Sequence, residues 1–480
     1  LLAALLVFDA ALLALGATRA WDASPFLSRP IGDALEYWEW AGRIADGGFV
    51  AETPFLSAPL YPYFLGVLRA LGADLPAVFT VQILLHLAAA ALLFRIATRE
   101  SGRPGLGFAA VVLFLLLAEP AFFATRLVAS SLQLFLLTWL LDASLRLHQR
   151  RKVGKLLGLG ALIGVNVLAN PPMLLFAFAL PVWFGARSRA GWRASGLTLA
   201  GMLLAIAPAT LHNALATQDS PGGIEFILVS AQAGVTYAHG NAPGALGVYR
   251  AIPGVSQDRQ KQNLEAFALA ARATGEPGWK NTDAWFRAQG TDWVFAHPGA
   301  AALLHLRKAG FLLFGQDYGD LYSIALENGD ATLPRPVPWP LGSVPTPWLL
   351  PAACAGAWIL ARTRRRGAVP TLALLLIPCA VVLIFWYSPR YRLPLIVPAC
   401  LLAPCAIRAA WTAPSRARQA ALLAAFALIP AGGRVLMLGT RLDQADRYLP
   451  EYEFHVGYQL LAWQKPEAAI PRLQAALNLG

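Results

Sequence analysis

The chain runs to 480 residues, of which 57% are hydrophobic and only 14% charged, with a mean hydropathy of +0.52. A soluble domain of this length needs a far more polar surface, so the composition excludes an ordinary soluble protein and points to the membrane class. The net charge of +12 does not indicate a nucleic-acid binder, because the basic clusters fall in alternate short loops between apolar runs.

The first run, Leu1–Ala17, reads as a transmembrane span trimmed at its N-terminus. A cleaved signal peptide is the rival, but no A-x-A site follows, and Arg19-Ala20-Trp21 has the character of a membrane interface. The segment 19–75 is too long for a connector. It holds two amphipathic stretches, Ala34–Ala45 and Leu60–Leu71, separated by Gly47-Gly48 and the Pro-rich Thr53–Pro62. Trp38, Trp40, Tyr61 and Tyr63 suit the headgroup level, so these helices are expected to lie along the membrane surface. Asp33 opens the first stretch, with Glu36 three residues on and Tyr37 one turn on. The local reading is a capping pair with Asp33 on the helix N-terminus. The functional one is a carboxylate that takes a proton from an acceptor hydroxyl.

About eleven spans are expected, near 1–18, 76–98, 105–122, 127–147, 156–169, 173–186, 194–213, 346–361, 368–387, 393–410 and 420–438. The loops between them alternate. Basic clusters occur at Arg95/Arg99/Arg103, Arg146/Arg150/Arg151/Lys152/Lys155, Arg187/Arg189/Arg193, Arg362/Arg364/Arg365/Arg366 and Arg408/Arg416/Arg418. Glu119–Arg126, Ala169–Met173 and Tyr387–Arg392, between them, are poor in Lys and Arg. The positive-inside pattern then places the first loop, the long segment 214–345 and the tail outside the cytoplasm. That long segment is expected to be ordered, from its apolar runs Ile224–Val229 and Phe311–Phe314 and a helical stretch at Gln260–Ala273. The expected organisation is a transmembrane module over 1–213, the outer segment 214–345, further transmembrane helices over 346–438, and a tail over 450–480.

Several motifs are false or absent. Gly158-x-Gly160 with Gly164 imitates a dinucleotide loop but sits inside a span with no preceding strand. Gly160-x-x-x-Gly164 instead suits close helix approach. Walker, HExxH and paired-cysteine zinc patterns are missing. His86, His212 and His305 stand alone and read as packing residues, and Cys354, Cys379, Cys400 and Cys405 fall in apolar stretches as buried thiols. In the tail, setting Gly457 on the glycine of a tetratricopeptide unit puts Ala469, Leu473 and Ala476 on its packing positions; a plain helical hairpin is the alternative. Arg390 and Arg392 sit in an otherwise apolar outer loop, where charge is costly without a partner; headgroup snorkelling competes with a phosphate-binding role.

A family resemblance rests on particular stretches. Gly32-Asp33-Ala34-Leu35-Glu36-Tyr37, Ala41-x-x-Ile44-Ala45-x-Gly47 and Pro54-Phe55-x-x-x-Pro59-Leu60-Tyr61-Pro62-Tyr63-Phe64-Leu65 resemble the first outer loop of GT-C glycosyltransferases. The likeness is to the bacterial branch similar to protein O-mannosyltransferases and aminoarabinose transferases. Pro208-x-x-x-x-Asn213, Gly240-Asn241-x-Pro243-Gly244, Arg307-Lys308 and Arg390-Tyr391-Arg392-Leu393-Pro394 resemble the same branch, which often carries C-terminal tetratricopeptide repeats.

The resemblance implies an all-α polytopic enzyme of the bacterial inner membrane, acting on its outer side. It would transfer a hexose or pentose with inversion from a polyprenyl-phosphate carrier to an acceptor protein, lipid or polysaccharide. Asp33 would be the base, with Glu36, Tyr37, Pro59, Tyr61 and Glu119 around the substrate. The carrier phosphate would meet Arg390 and Arg392, with Arg126, Arg307 and Lys308 as further cations. Relatives commonly place a second acidic residue in the next outer loop. Here Glu119 is displaced from that role, which leaves a divalent metal open. The tail could engage a protein partner. A transporter of lipid-linked substrates and a non-catalytic scaffold are the competing classes; the chain shows no internal repeat of the transporter kind.

Overall fold

The computed structural model describes all residues except 22, 148–151, 186–187, 257–258, 316–321, 331, 334–336, 364–367, 440–444 and 480. Arg150, Arg151, Arg187, Arg364, Arg365 and Arg366 of the basic clusters lie outside the described residues. The described chain is all-α, with two isolated bridges, Leu117 to Val344 and Val248 to Tyr387.

The chain starts with α1 (Leu2–Trp21), α2 (Pro25–Ser28), α3 (Gly32–Ala45) and α4 (Leu60–Ala70). Next come α5 (Leu75–Ser101), α6 (Pro104–Leu116), α7 (Ala118–Ala124), α8 (Ser130–Leu147), α9 (Val153–Ala169), α10 (Phe176–Phe184) and α11 (Arg189–Thr217). The middle segment carries α12 (Ala233–Gly240), α13 (Arg259–Thr274), α14 (Trp279–Ala296), α15 (Pro298–Phe314) and α16 (Ile324–Gly329). The remainder is α17 (Leu350–Arg362), α18 (Ala368–Ile384), α19 (Pro389–Arg392), α20 (Ile396–Trp411), α21 (Arg416–Gly439), α22 (Ala445–Ala462) and α23 (Pro466–Leu479).

Among the described residues, five helical runs are long and apolar enough to cross a membrane: α1, α5, α11, the continuous Pro389–Trp411 and Arg416–Met437. Shorter apolar helices are α6, α9, Pro171–Phe184, α17 and α18. Each stretch read as a span from sequence holds a helix, with local departures in several. The run 105–122 breaks at Leu117, which is extended (φ −71°, ψ 139°). Pro120 has no N–H for the carbonyl of Leu116, and Val344 N donates to that carbonyl at 3.0 Å instead. The stretch 346–361 opens with a 3₁₀ turn, Thr346–Trp348, before α17.

The tightest helix pair is α9 on α11. A Cβ on Gly160 would lie 2.0 Å from the Thr198 carbonyl, and one on Gly164 2.6 Å from that of Met202, so only glycine permits the approach. At one end of the bundle, Asp142 of α8 is buried and takes Arg95 at 2.5 Å, Arg99 at 2.8 Å and Arg146 at 3.0 Å. His86 is not the lone histidine of the sequence: its Nε2 lies 3.2 Å from Asp9 of α1, both wholly buried.

The middle segment has its own small core around Val235, Ala266, Ala270 and Phe286. Asn213 fastens it to the bundle. Its Nδ2 donates to the Ile227 and Val229 carbonyls, each at 3.0 Å, while its Oδ1 accepts from Phe55 N at 2.8 Å. A second fastening lies at the end of α18, where Asn241 Nδ2 donates to the Ile384 carbonyl at 2.7 Å.

α22 and α23 form a hairpin. A Cβ on Gly457 would meet Leu473 at 2.8 Å, and Ala469 is wholly buried. The hairpin packs back on the body: Tyr452 stacks on Phe26 with centroids 5.5 Å apart and donates to Asp330 at 2.9 Å. Arg472 bridges Glu453 at 2.8 Å and Asp330 at 2.6 Å.

Candidate active site

Gly32 begins α3 at φ +50°, a conformation that strains any residue with a Cβ. Asp33 follows it in the first turn. The capping pair expected from sequence does not form: the N-cap is Ile31, with no side-chain cap hydrogen bond. The Asp33 carboxylate instead accepts from Arg390 Nη1 at 2.9 Å. Arg390 stands on the single turn of α19, where Ser388 accepts from the Arg390 N–H at 3.2 Å and Pro389 fixes the first position. Asp33 and Arg390 side chains are about a fifth and a quarter exposed (20% and 24%), so solvent or a ligand can reach both.

Both residues line a cavity of about 610 Å³. Its apolar lining includes Val128, Pro171, Met173, Ile377, Pro378 and Val381. Its polar lining includes Gln232, Thr236, His239, Tyr249, Arg250 and Gln262 of the middle segment, with Ser130, Gln133 and Asn170 from the bundle. Tyr37, Trp386 and Tyr391 complete the region beside the ion pair, and Glu451 of α22 reaches the lining.

The remaining residues singled out in the sequence divide sharply. Tyr37 lines the cavity and meets Tyr61 edge-on at 5.4 Å. Tyr61 is buried behind it and donates to Gln82 Oε1 at 2.6 Å; burial pushes its hydroxyl well above the usual range, so it remains a neutral donor. Pro59 is buried at the start of α4, and Glu36 is half-buried; neither lines the cavity. Glu119 and Arg392 are buried together away from it. Arg392 Nη2 donates to Glu119 Oε1 at 2.6 Å and Nη1 to the Gly315 carbonyl at 3.2 Å, while Thr346 donates to Glu119 Oε2 at 2.6 Å.

Arg126 is likewise wholly buried, paired with Glu327 and stacked on Phe122 at 4.4 Å. Lys308 is a clamp in the interior, donating to Asn241 Oδ1 at 2.8 Å and the Leu383 carbonyl at 3.3 Å; burial holds its ammonium down at about 7. Arg307 is half-buried on α15 and also outside the lining. The geometry therefore brings Asp33, Tyr37 and Arg390 together, and sets Arg392, Arg126, Arg307 and Lys308 elsewhere. Sequence reasoning missed Trp386, Tyr249, His239 and Gln262; aromatic and amide side chains in a long segment carry no local signal of the cavity they will share.

Among the described residues no three His, Cys, Asp or Glu side chains come together.

No family model and no curated protein matches the sequence. Solved structures do. Archaeal oligosaccharyltransferase AglB from Archaeoglobus fulgidus, in complex with an inhibitory peptide and a dolichol-phosphate, is 13% identical with a TM-score of 0.45 over 94% of this chain and 58% of that one. The Archaeoglobus fulgidus oligosaccharyltransferase tethered to an acceptor peptide gives 13%, 0.47, 92% and 55%, and its apo form 12%, 0.45, 92% and 56%. The chain thus spans little more than half the length of these proteins. At such identities and TM-scores the likeness carries no argument about activity.

Proposed function

We propose that this protein is an inverting membrane glycosyltransferase that moves a sugar from a polyprenyl-phosphate carrier to an acceptor hydroxyl on the outer side of a bacterial inner membrane. The observation that carries the reading is a cavity with both apolar and polar lining that holds a carboxylate and a guanidinium 2.9 Å apart. The donor has matching parts: an isoprenoid tail for the apolar lining, a phosphate for the cation, and a sugar for the polar lining.

Arg390 binds the phosphate through its planar fork. As the phosphate takes up the guanidinium, its hold on Asp33 loosens and the carboxylate is released towards the acceptor. The acceptor oxygen attacks the anomeric carbon from the face opposite the phosphate, so the new C–O bond forms as the carbon–phosphate-oxygen bond breaks. The hydroxyl proton passes to Asp33, and the charge gathering on the leaving phosphate is met by Arg390. Within this reading about eleven helices cross the membrane, 214–345 lies outside, and the tail hairpin is one tetratricopeptide unit available to a protein partner. The acceptor class stays open among protein, lipid and polysaccharide.

The test is transfer of radiolabelled sugar from carrier to acceptor by Asp33→Asn. Loss of a general base lowers transfer by about 10²–10⁴-fold, while carrier binding persists. Unchanged transfer would remove Asp33 from the chemistry.

A further inference from the structure

We infer that Trp386, flanked by Tyr391 and Tyr249, is the platform on which the transferred sugar lies; the inference rests on the glycosyltransferase reading above. Trp386 and Tyr391 have ring centroids 4.8 Å apart, and Trp386 and Tyr249 5.5 Å. All three line the cavity, and Tyr391 directly follows Arg390, so the aromatic group begins where the phosphate is held.

The backbone that carries the platform is held in place. The Tyr387 N–H donates to the Gly247 carbonyl at 2.8 Å, and Asn241 holds the Ile384 carbonyl at 2.7 Å, which pins the backbone on both sides of Trp386. Gln262 Nε2 donates to the Tyr249 hydroxyl at 2.5 Å and orients that ring. His239 tilts against Tyr249 at 4.8 Å, with Nδ1 held at 2.7 Å from the Arg250 carbonyl.

Trp386 is only 6% exposed, yet its indole N–H has no acceptor among the described residues. A buried indole N–H is ordinarily paired. An isoprenoid chain could not accept that hydrogen bond, and the phosphate is placed on Arg390. A sugar ring supplies what is missing: a C–H face for the aromatic surface and hydroxyl oxygens for the N–H.

The experiment measures equilibrium binding of undecaprenyl phosphate, and of its mannosyl, glucosyl and arabinosyl derivatives, to the purified full chain. Wild type should bind at least one sugar-bearing carrier about tenfold tighter than the bare carrier. Trp386→Leu should erase that increment and leave bare-carrier affinity within about twofold, which also reports an intact fold. Trp386→Phe should keep part of the increment, and decides the matter should the leucine variant not fold. The subsite is overturned if no sugar strengthens wild-type binding. It is equally overturned if the substitutions weaken bare and sugar-bearing carriers alike, or leave the increment whole. Failure of wild type to bind any of the four ligands would instead overturn the glycosyltransferase reading itself.

Discussion

Arg390 and Arg392 share one helical turn yet should behave oppositely on truncation. Arg392 is 2% exposed at its side chain and Glu119 likewise, so Arg392→Met leaves a carboxylate buried with only Thr346 and whatever else surrounds it. Removing one partner of a buried pair costs about 3–5 kcal/mol, because the remaining charge is stranded in a low dielectric. The loss extends to the Gly315 carbonyl, which also accepts from Arg392. Arg390→Met breaks a pair that borders the cavity and is 24% and 20% exposed at its side chains, so its cost to stability should be smaller than that of the wholly buried pair. Its effect should fall on transfer, at about 10²–10³-fold for one donor lost from a developing anion. Denaturant unfolding in mild detergent reads stability, and the carrier-to-acceptor assay reads activity, on the same preparations. Combining Arg392→Met with Glu119→Gln should recover much of the stability, since no unpaired charge then remains. If Arg392→Met is as stable as wild type while Arg390→Met unfolds, the division of the two arginines is wrong.

Three further outcomes follow. Burial holds Lys308 at about 7 against an ordinary 10.5, so between these values the unfolded chain carries the extra proton and stability should rise with pH; a stability profile over that range should flatten in Lys308→Met. Gly160→Val should separate α9 from α11, given the 2.0 Å approach of a Cβ to Thr198, and destabilise by roughly 1–3 kcal/mol or more on unfolding. At Asp330 burial acts upward, but Thr332, Tyr452 and Arg472 outweigh it and hold the carboxyl below 3.8. The hairpin's docking is therefore secure above the usual carboxylate range and is lost as pH falls through the lowered value. Arg472→Gln should raise protease sensitivity of α22 and α23 at neutral pH, and an unchanged digestion pattern would count against the contact.

The positions of the helices were legible because apolar length and loop charge are local properties. So was the glycine pair of α9, since a Gly-x-x-x-Gly spacing puts both glycines on one face whatever packs there. The quoted resemblance stretches also proved to be joints: Asn213 and Asn241 fasten the middle segment to the bundle. The residue-level roles were less legible. Local pattern favoured Asp33 as a cap, because capping chemistry is written in adjacent residues, whereas its partner lies 357 positions away.

The amino-acid order by itself determined a helical membrane chain, the approximate place of its long apolar helices and a hairpin in the tail, because hydrophobic length and turn chemistry act over a few residues. It left Arg390 and Arg392 together, both read as cations for the carrier phosphate. Only the tertiary structure decided which one meets Asp33 at the cavity and which one disappears into the core with Glu119. Charge pairing across hundreds of residues depends on which helices meet, and that is settled by packing of the whole bundle.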